Sequence, residues 1–418
     1  MVSNSRAGIA VINALERGGG AEVVYQATVA HYARTRKVVT VSGQGSSREG
    51  HVEVPDKKTN PVQGTLLTPF TAPKVVWRIL RAIRSVRADT VLVHNLWPNL
   101  GTEGAFALRI ARRLWGTRVV LVAHDYQYVC ATSMLFDHRR GVHCEDCLGR
   151  RLKLAPFFRR CDKGGVASSL IKAVRGFLGS IVIGKGSLFD KIVAPSATMR
   201  GKLLAEGYRS ESVVVARNGI PAVEPSNVPR EDVILVAGRL EPEKGADMLP
   251  AIFQGISRIK PSVRFVVLGE GSRMEALRQS IQERGLSDVV EIPGSVPRHE
   301  VLRRARGAKV FLFPSRWIEN CPLGLVEAVL AGLHPIAGRM GGQAEILEGV
   351  GAGTLVDEPT PERYADACLE ALGAFESPAS AHVRALARQR AGNLYAESAF
   401  FSVLDEAVDG VDEKSVRV

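Results

Sequence analysis

The residues that could do chemistry begin with Gly238-Arg-Leu-Glu-Pro-Glu-Lys-Gly245, directly after the apolar run Val233–Ala237. A glycine at the carboxyl end of a strand lets the backbone turn sharply and approach a ligand, and open α/β sheets bind at such strand ends. Arg239 and Lys244 share that loop. A guanidinium fork and a point-charge ammonium together suit a diphosphate. The plain alternative is a strand–helix loop carrying two solvated cations.

A second constellation is Phe313-Pro-Ser-Arg-Trp-Ile-Glu319-Asn-Cys-Pro-Leu-Gly-Leu-Val-Glu327-Ala328. Glu319 lies in a loop ahead of a helical pattern that opens with Leu323 and Gly324 and includes Glu327. The unpaired N–H groups of a helix N-terminus favour a bound phosphate, and a nearby Glu can take ribose hydroxyls. The two carboxylates could instead only complement the helix dipole. The position of Glu327, between Val326 and Ala328, argues against that reading. Further on, Gly341-Gly-Gln-Ala-Glu345 is another turn into a helix with a carboxylate at its start.

The first half offers Gly18-Gly-Gly-Ala-Glu22, a flexible loop with free N–H groups suited to a phosphate or sugar hydroxyls. His124-Asp125-Tyr126 ends the strand-like run Val119–Ala123, and His94 ends the run before it. A histidine at a strand's carboxyl end is placed to contact a reacting sugar, with His94 the rival of His124. Cys130, Cys144, Cys147 and Cys161 fall in one window around a C-x-x-C, with His138 and His143 nearby. A structural zinc is one reading and ordinary loop thiols another; most zinc sites use two tight pairs, and here there is one.

Positioning these residues requires alternating strands and helices. β-Branched runs at Val38–Ser42, Thr90–Val93, Lys191–Ala194, Arg264–Leu268 and Val310–Phe313 alternate with helical patterns such as Glu22–Tyr32, Glu103–Leu114 and Arg298–Gly307. Both halves therefore read as doubly wound α/β domains with parallel sheets. Three prolines within Pro221–Pro229 break the alternation. The expected division is a first domain over 1–220, a linker over 221–230, a second domain over 231–390 and a helical tail over 391–418.

The 418 residues are 45% apolar and 23% charged, the balance of a soluble globular protein of two or three domains. No run is long and apolar enough to span a membrane, and Met1–Ala14 has no secretion-signal pattern. A cytoplasmic location is expected. Residues 1–218 carry 33 Lys and Arg against 15 Asp and Glu, while 219–418 carry 22 against 28. The basic half suggests an anionic partner, with nucleic acid, an anionic membrane surface and a phosphorylated lipid carrier as candidates, and solvated surface charge of an Arg-rich proteome as the plain alternative.

In their order, these motifs resemble family 4 of the retaining glycosyltransferases, which have the GT-B fold. The residues that match are Gly19-Gly20-Ala21-Glu22, His124-Asp125, Ala194-Pro-Ser196, Asn218-Gly-Ile220, Gly238–Gly245, Gly269-Glu-Gly271, Glu319 through Glu327, and Gly341-Gly342 with Glu345. The resemblance implies two Rossmann-like domains facing across a cleft, a nucleoside-diphosphate sugar as donor, a glycan or lipid-linked acceptor, and retention at the anomeric carbon. It assigns catalysis to His124 and Glu319. Arg239 and Lys244 would bind the diphosphate and stabilise the leaving group without a metal, and Glu327 would hold the ribose. Gly19, Gly20 and Gly238 would border the donor, as would Leu323 and Gly324. The tail would cross back onto the first domain. The loop Arg17-Gly-Gly-Gly carries one glycine more than the family's pair.

Other classes remain as alternatives. A nucleotide-sugar epimerase would need carboxylates around the sugar and no acceptor groove, and a glycan phosphorylase would need a pyridoxal-binding lysine. A nucleic-acid-binding protein lacks a recognition-helix motif and interleaved aromatics. A basic membrane-binding protein without catalysis draws on Trp77–Arg87, where Arg78, Arg81, Arg84 and Arg87 accompany Ile79, Leu80, Ile83 and Val86. The stretch Leu170–Leu188 adds Lys172, Arg175 and Lys185. For the enzyme itself, these helices suggest a peripheral position on the inner face of the plasma membrane.

Overall fold

The computed structural model describes residues 7–15, 19–43, 48–54, 68–96, 100–150, 153, 155–184, 186–224 and 228–410, without the side chains of 68–71, 175 and 178–180. Arg17, Gly18, part of the proline-rich segment, the Arg175 side chain and Lys185 lie outside this set.

The chain divides into two compact bodies. The first takes in residues 1–139, 144–216 and 400–418, and the second 140–143 and 217–399. The contacts therefore change over at 216/217 and again at 399/400, not at the expected 220/221 and 390/391, and a short piece at 140–143 is counted with the second body.

The first body is built on seven strands: β1 (Ile9–Ile12), β2 (Val38–Ser42), β3 (His51–Glu53), β4 (Thr90–Val93), β5 (Arg118–Val122), β8 (Lys191–Ala194) and β9 (Val213–Val215). Between β5 and β8 lie the two-residue strands β6 (Phe136–Asp137) and β7 (Val142–His143). The seven run parallel in the order β3-β2-β1-β4-β5-β8-β9. The second body has β10 (Glu231–Ala237), β11 (Arg264–Leu268), β12 (Val290–Gly294), β13 (Ala308–Phe313), β14 (His334–Gly338) and β15 (Thr354–Val356), parallel in the order β12-β11-β10-β13-β14-β15. In both sheets the winding reverses beside the first strand, at β1/β4 and at β10/β13. That reversal leaves a crevice at the carboxyl ends, where doubly wound sheets take ligands.

Both faces of the second sheet are covered. Ile234 and Val236 of β10 join one apolar layer with Phe265 and Leu312, and Leu235 joins the other with Phe311 and Leu325. This two-sided burial accounts for near-continuous apolar strands where a one-sided sheet would alternate. Helices follow the strands: α1 (Gly20–Ala33), α2 (Thr68–Ser85), α3 (Gly101–Trp115), α4 (Ala155–Arg159), α5 (Gly165–Ile183) and α6 (Ala197–Glu206) lie in the first body. The Ser196 hydroxyl accepts from the Met199 N–H to start α6, and Gly207, at φ +103°, ends it.

The last helix, Glu397–Asp409, completes the first body. Phe400, Leu404, Ala407 and Val408 are buried with Ile9, Val11, Tyr25 and Val29. Phe401 stacks on His31 at 4.0 Å, Asp405 sits 3.2 Å from the same imidazole, and Arg36 pairs with Asp409.

Candidate functional site

In the second body the loops after β10 and β13 meet, because those strands are neighbours with Leu235 beside Phe311. Lys244, in a short 3-10 turn, donates to Glu319 Oε1 at 2.5 Å, and Ser315 Oγ donates to the same oxygen at 2.9 Å. The Lys244 ammonium also lies 4.5 Å from the centre of the Trp317 ring. Glu319 is buried. A carboxylate held there needs the charge and the hydroxyl that it receives.

The backbone makes this meeting possible at two glycines. Gly245 has φ +75°, and a Cβ on it would fall 2.1 Å from Pro314 O. Gly269 has φ +138°, and its Cβ would fall 1.8 Å from Gly238 O. Only glycine lets these strand ends come so close. The Gly342 N–H donates to Glu319 O at 2.7 Å, tying the next turn to the same loop.

Arg239 takes a different partner. Its guanidinium is half exposed and lies 3.4 Å from Glu243 Oε1, whose carboxylate is buried. Glu327 also has a partner, with Arg298 donating to its carboxylate at 2.6 Å. A hollow of about 390 Å³ lies at the ends of β10, β11 and β12, lined by Gly238, Arg239, Gly269, Glu270, Ser295 and Val301 among others. Arg298, the partner of Glu327, belongs to the segment between Ser295 and Val301, both of which line this hollow. A larger hollow of about 720 Å³ at the amino ends of the strands, around Val233, Arg264 and Arg303, is remote from these groups. Leu323 and Gly324 form the first turn of the helix Leu323–Leu330, where a Cβ on Gly324 would meet nothing closer than Phe311 at 3.8 Å.

The first body assembles its own cluster. His94 and His124 follow adjacent strands, and His94 Nδ1 lies 2.8 Å from His124 Nε2 with the rings stacked. The two rivals of the sequence are partners. Burial drives the pKa of His94 well below that of a free imidazole, and that of His124 down to about 4. Both rings are thus neutral at neutral pH. Burial raises Asp125 to about 6, against the Gln127 N–H that donates to it at 2.9 Å. Gln127 in turn donates to Asn95 at 2.7 Å. The Glu22 carboxylate at the start of α1 adds to the rise at Asp125. Gly19 donates its N–H to Glu22 at 2.8 Å, and Gly19 and Gly20 are exposed. The glycine loop and the His124-Asp125 turn therefore share one neighbourhood.

The cysteine window is held differently. Cys130, Cys147 and Cys161 are buried, Cys144 is partly so, and all four are free thiols. Cys130 and Cys147 hydrogen-bond to each other, and burial pushes Cys161 up to about 12. Among the described residues no group of three or more His, Cys, Asp or Glu side chains has a metal-holding arrangement. The zinc alternative on Cys130, Cys144, Cys147 and Cys161 therefore finds no ligand set. What anchors the loop is Lys153, buried and donating to Val129 O at 2.6 Å and to Glu206 at 2.9 Å.

The motif quoted from the sequence already contained Ser315 and Trp317, but neither had a role until the sheet order brought their loop to Lys244. Glu243, Arg298 and Asn95 carried no sequence signal of their own.

Two family models match the chain in tandem: the glycosyl transferase 4-like domain over residues 19–219 and glycosyl transferases group 1 over 223–382. A D-inositol 3-phosphate glycosyltransferase of Segniliparus rotundus is 31% identical over 140 residues, 32% of this chain and 31% of that protein. A GDP-mannose-dependent alpha-(1-6)-phosphatidylinositol monomannoside mannosyltransferase of Mycobacterium tuberculosis is 32% identical over 145 residues, 33% of this chain and 38% of that protein. The matches span between 29% and 47% of such relatives' own length. Among solved structures, Alr3699/HepE of Anabaena in complex with UDP superposes with a TM-score of 0.70 at 17% identity, over 97% of this chain and 100% of that one. Sucrose-phosphate synthase of Thermosynechococcus elongatus gives 0.70 at 16%, over 97% and 99%. At these identities the structures speak for the fold, and the family models speak for the lineage. On both grounds the chain belongs to the GT-B glycosyltransferases, with a 4-like first domain and a group 1 second domain.

Proposed function

We propose that the chain transfers a sugar from a nucleoside-diphosphate sugar to a glycan or lipid-linked acceptor, with retention at the anomeric carbon, in the synthesis of cell-surface polysaccharide or glycolipid. The observation that carries this reading is the Lys244–Glu319 pair at the carboxyl ends of β10 and β13, with Arg239 on the same loop. Lys244 and Arg239 are two cations at a sheet's switch point, where a diphosphate would develop charge as it leaves. They supply fixed positive charge there, so the reading requires no metal.

In this proposal Lys244 exchanges part of its contact with Glu319 for phosphate oxygens, which frees the Glu319 carboxylate to face the donor sugar. Glu327 takes the ribose, and Gly238, Leu323 and Gly324 let the donor approach backbone N–H groups. Within the first body, His124 is the candidate neutral imidazole for the sugar chemistry, and the exposed Gly19 and Gly20 are the candidates for phosphate contact. The names of the relatives agree with the donor class, since one is GDP-mannose-dependent and the Anabaena structure was solved with UDP.

A thermal-shift panel of UDP, GDP, ADP and TDP on wild type and Lys244→Ala tests the assignment. A nucleotide at a hundred times its dissociation constant adds about 2.7 kcal/mol of stability. One nucleotide should stabilise the wild type and lose its effect in the variant. A wild type that responds to none of the four would overturn the donor site as drawn.

A further inference from the structure

Helix α5 is built inside out. Its inward positions Ser169, Ala173 and Gly176 are small, and a Cβ on Gly176 would already press on Ala131 at 3.3 Å. Five of its large apolar residues point the other way, while Ile183 at its end is buried. Val166, Leu170, Val174, Phe177 and Ile181 recur at intervals of three or four and are each 37% to 59% exposed. That spacing places them on one face of a helix, along about 20 Å of its length. A helix that owes its place to its own core shows the reverse arrangement.

The apolar face continues onto α4, which packs beside α5 and carries Phe157 and Phe158, the latter 72% exposed. The surroundings are basic. Residues 150–188 contain nine Lys and Arg against one acidic residue, Asp162. Arg160 and Lys163, between the two helices, are exposed, whereas Asp162 is buried and satisfied by Lys172 and Ser168. On the far side α3 packs against α5 and presents exposed Phe106 and Arg113.

We infer that the face formed by α4 and α5 docks on an anionic lipid bilayer, with the apolar stripe of α5 and Phe158 entering the interface and Arg160 and Lys163 meeting the headgroups. Charge selects this occupant over a second copy of the chain, because self-association through this face would bring two basic margins together. An apolar stripe bordered by cations is the surface that lies on anionic lipid. Among the described residues no helix is long and apolar enough to cross a membrane, so the contact is a seat on the surface. The inference is independent of the donor chemistry, since vesicle binding requires no sugar nucleotide.

Flotation of the full chain with phosphatidylglycerol–phosphatidylcholine vesicles tests it, alongside pure phosphatidylcholine. Wild type should float with the anionic vesicles, with at least about tenfold less bound to neutral ones or at about 0.5 M salt. Val174→Glu with Phe177→Glu should lose binding by at least about tenfold while keeping the wild-type melting curve. Arg160→Glu with Lys163→Glu changes only exposed side chains and should reproduce the loss through charge. Wild type that fails to float on anionic vesicles overturns the proposal, as does wild-type flotation by both double variants. So does a wild-type dimer in sedimentation that becomes monomeric in Val174→Glu/Phe177→Glu, which would assign the face to a second copy.

Discussion

Lys244 and Glu319, 75 positions apart in sequence, are joined at 2.5 Å across the ends of two neighbouring parallel strands. The pair couples the two expected roles, since the cation for the diphosphate and the carboxylate for the sugar neutralise each other. Replacing one should disturb the other. Lys244→Ala is expected to lower kcat/KM by about a hundredfold, or about 2.7 kcal/mol of transition-state stabilisation. Glu319→Gln keeps the shape, removes the charge, and should cut kcat while leaving nucleotide affinity within about threefold. Steady-state kinetics with the nucleotide sugar identified by thermal shift would separate the two.

The histidine pair makes stability depend on pH in a definite direction. In the unfolded chain each imidazole titrates near 6.5, whereas burial holds His94 well below that and His124 at about 4. Between pH 6.5 and 4 the unfolded chain therefore binds more protons, and stability falls as pH falls through that window. Asp125 acts oppositely, because its raised pKa of about 6 means that stability is lost as pH rises from the unfolded carboxyl value toward 6. Two imidazoles outweigh one carboxyl. Urea midpoints at pH 6.5 and 4.5 should drop more steeply for wild type than for His94→Gln, and parallel lines would refute the account.

Lys153 and Glu206 are both buried and 2.9 Å apart. Removing one partner strands the other charge, so Lys153→Ala should cost about 3–5 kcal/mol. Lys153→Met with Glu206→Leu, of similar volume and uncharged, should recover most of that. The comparison is made by chemical denaturation of the three proteins.

Gly269→Ala places a Cβ within 1.8 Å of Gly238 O and at φ +138°. The strand ends must separate to admit it, which distorts the loop that carries Arg239. A loss of more than about 2 kcal/mol is expected, with the nucleotide response weakened. Gly307→Ala, where a Cβ meets nothing within 4 Å, is the control and should change the melting temperature little.

The fold was legible where burial on both faces made strands into β-branched runs: Val38–Ser42, Thr90–Val93, Lys191–Ala194 and Arg264–Leu268 have the bounds that their sequence predicts. The edge strands β3 and β9 are three residues each and pair on one side only, so even the three valines of β9 make a run too short to stand out. Helix α2 runs from Thr68 to Ser85 with Pro73 inside it, where pattern reading takes a proline for a helix boundary. At the candidate site the residue types were legible and their partners were not. Lys244 finds Glu319, and His94 finds His124, only because strands far apart in sequence lie side by side. Glu327, read as free for a ribose, is paired with Arg298.

The final helix has a temporal consequence. Phe400, Leu404 and Val408 fill the core that Ile9, Val11 and Tyr25 begin, so the first body to be synthesised stays unfinished until the second has emerged. At about 5–20 residues per second on the ribosome, that body waits on the order of ten to forty seconds with an apolar face open. A segment made after the second body closes the body made before it, so a nascent chain becomes protease-resistant there only once Val408 has emerged.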